Sequence, residues 1–286
     1  MNKEMTELSR IEQKRITLEA ILRKMDSVLI AYSGGVDSSY LLYSAATVMG
    51  PKSVIAATAR SPIYVEQDEE SLAELPKRLG VRHILLRAEQ IQDKEFVHNP
   101  RDRCYYCKRG VIGMLATFAK RERIHWMAEG SNLDDRSDYR PGVRAVEEAG
   151  VRSPLLEAGL TKAEIRELAR RAGLPNWNKP AESCLAARFP YGEAITLEGL
   201  ERIRASETAL KEMGFHSVRV RHYGEMARIE VAPEEVARLA SPEVAARVTA
   251  ALRAAGYQHV AADLLGYRSG SLNESFQPRK DAGSNG

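Results

Sequence analysis

"SVLIAYSGGVDSSYLL", residues 27–42, decides how the chain is read. An apolar, β-rich run (27–32) stops at a glycine pair, and the residues beyond turn helical, which makes a strand, a loop and a helix. Two glycines allow a tight turn with unshielded backbone amides, and the helix that follows adds its positive N-terminal end. The loop therefore suits an anion such as phosphate. Neither Gly-x-Gly-x-x-Gly nor Gly-x-x-x-x-Gly-Lys-Ser/Thr is present, so dinucleotide-binding and Walker loops fail on residues. The bland alternative is a capped turn joining strand to helix.

The same strand-then-helix pattern spreads outward from this stretch. An amphipathic opening helix carries Leu8, Ile11, Leu18, Leu22 and Met25. "SVIAATA" (53–59) precedes a charged helix at about 65–79, "RHILLR" (82–87) precedes a helix around 107–121, and "HWMAEG" (125–130) ends in a polar loop. Strands alternating with helices predict an α/β doubly wound parallel sheet covered on both faces. Thr161 and Glu164 form a capping box ahead of a helix that closes the first domain, 1–190. From 191 to 273 a helix, two alternating strands ("SVRVRHYG", "MARIEV"), a long helical run from Pro233 and a final strand ("YQHVAADL") predict a small α+β domain. His216 and His222 are expected at its surface, and the polar stretch 274–286 is expected to be mobile.

With 44% hydrophobic and 28% charged residues, the 286-residue chain has ordinary globular composition. Its 42 basic and 39 acidic residues leave a weak overall field, so charge does not argue for nucleic acid. The N-terminus lacks an apolar targeting core and no stretch approaches the roughly 18 apolar residues of a membrane span. A cytoplasmic location without membrane contact is expected.

Three cysteines do not all pair within one chain. Cys104 and Cys107 form the Cys-x-x-Cys of "RCYYCK", which in a reducing compartment points to metal, cluster or redox work. Buried thiols filling apolar space are one alternative. Flanking Arg101, Arg103, Lys108 and Arg109 argue against it, because cations favour thiolates. Structural zinc generally takes four protein ligands, and no His lies at finger spacing from the pair. With Cys184, in "AESCLAARFPYG" (181–192), three thiolates suit a [4Fe-4S] cluster with one iron open, provided the fold brings Cys184 beside the pair.

Ser-Gly-Gly-x-Asp-Ser resembles the PP-loop of ATP pyrophosphatases. The resemblance implies the adenine nucleotide alpha hydrolase-like fold, with Ser33, Gly34, Gly35, Asp37, Ser38 and Ser39 around the phosphates of ATP and Asp37 on Mg2+ or the phosphates. It also places adenine along 56–62, at Thr58. More specifically, "RCYYCK", "GSNLDDRSDYRPG", "NKPAESCLAARFPYG" and "SVRVRHYGEMARIEV", in that order behind "SGGVDSS", are similar to the LarE family of sulfur transferases, which help build the nickel-pincer nucleotide cofactor of lactate racemase. The match spans 27–268.

As this family implies, the enzyme adenylates a carboxylate of a pyridinium biscarboxylate mononucleotide and replaces AMP with sulfur. Cluster-bearing members hold [4Fe-4S] on positions matching Cys104, Cys107 and Cys184. In sacrificial members the cysteine matching Cys184 gives up its own sulfur and becomes dehydroalanine. All three cysteines are present here, which favours the cluster type. The family also implies that Lys108 contacts phosphate, that Arg188, Arg219 and Arg221 meet the substrate phosphate with an acidic partner from Glu207 or Glu230, and that Asn132, Asp134, Asp135, Asp138 and Arg140 bear on magnesium, nucleotide or substrate. Implied partners are a small-molecule nucleotide, a sulfur donor, a downstream nickel-inserting protein and further copies of the chain in a homo-oligomer. Rival classes are a PP-loop tRNA thiolase, an ammonia-using synthetase and a non-catalytic nucleotide-binding module.

Overall fold

Strands β1 (Val28–Ala31), β2 (Val54–Arg60), β3 (Arg82–Arg87) and β4 (Trp126–Ala128) form one parallel sheet in the order β3-β2-β1-β4. The computed structural model describes residues 2–65, 69–136, 141–180 and 183–268, with side chains from residue 9 onward. Asp138, Arg140 and the 274–286 stretch named above lie outside the described residues.

A parallel sheet needs apolar residues on both faces, and β1 supplies them in alternation. The helices are α1 (Asn2–Arg23), α2 (Val36–Met49), α3 (Glu69–Leu79), α4 (Lys94–Val97), α5 (Arg103–Arg121), α6 (Pro141–Glu148), α7 (Pro154–Glu157) and α8 (Lys162–Arg171), and Val28 and Ile30 join a core with α1, α2, α3, α7 and α8. Leu29 and Ala57 face the other way, against Leu115, Phe118 and Ala119 of α5. Thr161 caps α8 by accepting from the Glu164 amide while Glu164 returns a bond to Thr161 N–H, the reciprocal box read from the sequence.

The chain falls into two units, and the second comprises 62–65, 97–101 and 183 onward. Its start lies before Ser183 rather than after Pro190, because residues 183–195 bond within it. Leu185 N–H donates to Ile63 O, Gly192 N–H to Asn99 O and Ile195 N–H to Val97 O. The Asn99 side chain also donates to Pro190 O and Glu193 O at 2.7 and 3.0 Å.

In this unit β5 (Arg219–Tyr223) and β6 (Met226–Glu230) form an antiparallel hairpin closed at Gly224 (φ 56°), and β7 (His259–Ala262) adds to β6 in parallel. Helix α9 (Leu197–Glu212) supplies Leu210 to the core. The long helical run expected from Pro233 is broken into α10 (Val236–Leu239) and α11 (Pro242–Ala254). Ser241 is the N-cap and Pro242 occupies the first helical position, where its missing N–H costs nothing. His222, expected at the surface, is buried, with its Nδ1 3.0 Å from Tyr257 Oη and its ring 4.8 Å from that of Phe189.

Candidate functional site

The glycine loop joins β1 to α2 at the carboxyl end of the parallel strands, where ligands collect in open α/β sheets. Gly34 has φ 73°, a left-handed conformation that favours glycine, and Gly35 is the N-cap of α2 with no side chain to offer the helix amides. Serines support the turn from within. Ser33 N–H donates to Ser38 Oγ at 3.2 Å, and Ser38 Oγ donates to Gly35 O at 3.1 Å. Gly130, just past β4, sits against the loop so closely that an added Cβ would lie 3.0 Å from Ser38 N and 3.2 Å from Asp37 Cβ.

Charge gathers behind this loop. Asp37 Oδ2 is bonded by Lys162 Nζ, while Asp37 Oδ1 is buried with no hydrogen-bond partner among the described residues. Burial pushes the Asp37 carboxyl up, Lys162 pulls it back, and the nearby Asp135 adds to the rise. Lys162 N–H also donates to Asp134 Oδ2 at 2.8 Å, and Asp135 Oδ2 accepts from Asn132 N–H at 2.9 Å. Lys108 Nζ reaches Glu129 Oε2 at 3.0 Å. Burial works against the Glu129 carboxylate, but Lys108 and the hydrogen bonds of Ser131 and Ser153 outweigh it and hold the carboxyl below its usual range.

Thr58 is buried. Its Oγ1 donates to Tyr32 O at 2.7 Å and accepts from His83 Nε2 at 2.8 Å, which assigns the proton of His83 to Nε2. Burial lowers the His83 pKa, consistent with a neutral ring. Since β1 ends opposite Ala57 while β2 continues to Arg60, the strand backbone near Thr58 runs on past its β1 neighbour.

Sequence reasoning passed over Glu129, the partner of Lys108, and two residues that bond the loop itself. Lys162 was hidden in a helix start, and Asn176, in "LPNWNKP", donates from Nδ2 to Gly34 O at 2.9 Å and to Ser39 Oγ at 2.7 Å. The signal for Lys162 was a cation one residue inside a capped helix, a place where the dipole disfavours it.

Cys104 and Cys107 occupy the first turn of α5, three residues apart and so on one helix face, Cys104 exposed and Cys107 half-buried. Gln90 Nε2 lies 3.8 Å from Cys107 Sγ. Cys184, half-buried, belongs to the second unit, as N-cap of the short 3-10 turn Leu185–Arg188. The pair fits two thiolate ligands of a metal or cluster. Among the described residues no group of three or more His, Cys, Asp or Glu side chains is gathered as a metal site.

The arginines of the second unit are placed unequally. Arg188 is 1% exposed; Nε and Nη2 bond Glu207 at 2.8 and 3.0 Å, and Nη1 donates to Ser183 Oγ at 2.7 Å and to Cys184 O at 3.1 Å. Arg221 grips Glu230 through Nε and Nη2 at 3.0 and 2.7 Å, and Arg228 adds a third bond to the same carboxylate. Arg219, half-buried beside them, meets no carboxylate in an ion pair among the described residues, and burial with the neighbouring Arg188 pushes its pKa down.

No family model matches the chain. It is 37% identical over 92% of its length to an uncharacterized protein of Synechocystis sp., covering 98% of that protein. It is 35% identical over 94% of its length to the pyridinium-3,5-bisthiocarboxylic acid mononucleotide synthase of Lactiplantibacillus plantarum, covering 97% of it. An NH(3)-dependent NAD(+) synthetase of Thermococcus sibiricus matches 52% of the chain at 26% identity, covering 58% of that enzyme.

Proposed function

Because the chain belongs to the LarE family of ATP-dependent sulfur transferases, we propose that it converts a carboxylate of a pyridinium biscarboxylate mononucleotide into a thiocarboxylate. The observation that carries this reading is the loop at Gly34–Gly35, with an uncapped helix end and the Asp37–Lys162 pair behind it. The substrate carboxylate attacks the α-phosphate of ATP, the bond to pyrophosphate breaks, and an acyl adenylate forms. Amides at the start of α2 take the β- and γ-phosphates, and Ser33, Ser38 and Ser39 hold the loop in shape. Lys162 exchanges its bond to Asp37 for one to phosphate. Asp37, then bare, is the residue that would hold Mg2+, which would supply positive charge against the phosphates. Lys108 turns from Glu129 towards the α-phosphate as charge develops there. Asp135 fixes the 132–135 turn, and the β2 backbone at Thr58 receives adenine.

Arg219 is the cation assigned to the substrate phosphate, with Arg188 and Arg221 holding its surroundings electropositive. For the sulfur we favour a [4Fe-4S] cluster: Cys104, Cys107 and Cys184 are the residues that would hold it, and it would supply the site for an external sulfide. A second reading rests on Cys184 as a half-buried thiol outside any disulfide. In it the Cys184 thiolate displaces AMP from the adenylate, then loses its Cα proton as the Cβ–S bond breaks, leaving dehydroalanine and the thiocarboxylate.

Further assignments are a cytoplasmic location, a homo-oligomer, a physiological sulfur donor and transfer of product to a nickel-inserting protein. Among the described residues no helix is long and apolar enough to cross a membrane. Anaerobic absorbance and intact mass before and after turnover test the sulfur source. Brown protein of unchanged polypeptide mass supports the cluster. Colourless protein that loses the mass of hydrogen sulfide at Cys184 supports the second reading.

A further inference from the structure

We infer that Asn176 is a positioning residue for the phosphate loop, an inference that rests on the ATP-binding role assigned to that loop above. A loop that binds phosphate through its amides must turn its carbonyls elsewhere, because a carbonyl oxygen facing a phosphate repels it. Gly34 O is the carbonyl at the apex of this turn, and Asn176 Nδ2 holds it at 2.9 Å. The atom facing Gly34 O is the amide nitrogen, since a carbonyl oxygen only accepts. The second proton of the same nitrogen is directed to Ser39 Oγ, 2.7 Å away in the first turn of α2. One side chain therefore ties the entry of the loop to the helix that follows it.

The peptide plane carries the consequence forward. The C=O of Gly34 and the N–H of Gly35 belong to one planar trans unit and point in opposite directions. Fixing the carbonyl on Asn176 fixes the Gly35 N–H on the far side. Without ligand that N–H has a 3.4 Å bond to Ser33 Oγ, at the long limit of a hydrogen bond and readily exchanged for a phosphate oxygen.

Asn176 is itself held. Gly173 (φ 67°) ends α8, Leu174 N–H returns to Ala169 O at 3.0 Å, the Leu174 side chain is buried, and Asn176 O accepts from Lys179 N–H at 3.0 Å. A rigid turn after α8 thus presents the amide.

The test is pyrophosphate release by the full chain, with ATP and the carboxylated nucleotide, comparing wild type, Asn176→Ala and Asn176→Asp. Removing the donor raises KM for ATP about tenfold, the scale of one hydrogen bond, leaves kcat within about threefold, and weakens competitive inhibition by inorganic pyrophosphate by the same factor as KM. Asn176→Asp, which sets an oxygen against Gly34 O, raises KM about a hundredfold, since it adds repulsion to the loss. It is nearly isosteric and carries the test alone if the alanine variant does not fold. An unchanged KM, or a fall in kcat that tracks a fall in Tm, overturns the inference while leaving the proposed function intact. Wild type that releases no pyrophosphate overturns both.

Discussion

The two units handle buried charge in opposite ways. Behind the phosphate loop, Asp37 has one oxygen on Lys162 and the other buried without a partner among the described residues. In the second unit, Arg188 and Arg221 each donate two bonds to a buried carboxylate, and Glu230 accepts from Arg228 as well. The first arrangement is incomplete among the described residues, and in the proposed function a cation or phosphate completes it. In the second, the two-bond grips on Arg188 and Arg221 are complete, although Arg228 Nε is buried without a hydrogen-bond partner among the described residues, and they frame Arg219, which has no such grip. Charge that changes partners during a reaction is left partly unsatisfied, whereas charge that shapes a site is satisfied within the fold.

Asp37→Asn breaks the comparison most sharply. Adenylation, measured as pyrophosphate release, falls about a thousandfold, as when a group aimed at developing charge is removed. Stability moves the other way. The folded-state pKa of Asp37 is raised, so the contribution of its protonated form is fully present below the ordinary carboxylate pKa and is lost as pH rises through the folded value. The asparagine variant never ionises. Its Tm matches wild type in acid and exceeds it at neutral pH, and a lower Tm at neutral pH contradicts the account.

Glu230→Gln probes the finished arrangement. With Arg221 buried and its carboxylate gone, urea unfolding should show a loss of about 3–5 kcal/mol, and a loss under about 1 kcal/mol would mean the pair is no framework. Arg219→Ala separates site from framework inside one unit. KM for the nucleotide substrate rises between about tenfold and a hundredfold, the value of a charge-assisted hydrogen bond, while Tm hardly moves. If Arg221→Ala spares stability and Arg219→Ala does not, the roles are reversed. The smallest effect belongs to Gly130→Ala, whose methyl meets backbone at Ser38. KM for ATP rises a few-fold and Tm drops by a few degrees, the scale of about 1 kcal/mol of overpacking.

The alternation of strands and helices was readable because both periods are strong: Val28, Leu29 and Ile30 alternate across a sheet covered on two faces, and Thr161 with Glu164 marks a helix start by residue type alone. The glycine loop was readable for the same local reason. What was not readable depends on partners distant in sequence. Lys162 meets Asp37 across 125 positions and Asn176 meets Gly34 across 142; a cation at a capped helix start marks Lys162 as unusual without naming its partner, and Asn176 has no local pattern that announces it. "VRVR" shows two arginines on one strand face, and the family resemblance offered Glu207 or Glu230 as an acidic partner, but neither shows that Glu207 takes Arg188 and Glu230 takes Arg221 while Arg219 is left without a carboxylate ion pair among the described residues. His222 is polar by type, yet the pocket formed by Phe189, Tyr257 and Gly199 buries it. Ser241–Pro242 was a local signal for a helix break inside a run whose composition is helical throughout.

This chain uses ATP to exchange a carboxylate oxygen for sulfur. Mass spectrometry of the nucleotide after anaerobic incubation with ATP, magnesium and a sulfide source tests it most directly. The expected result is a thiocarboxylate formed with one AMP and one pyrophosphate per sulfur, and none without ATP. An amidated nucleotide, thiolated RNA, or AMP released without any gain of sulfur would contradict it.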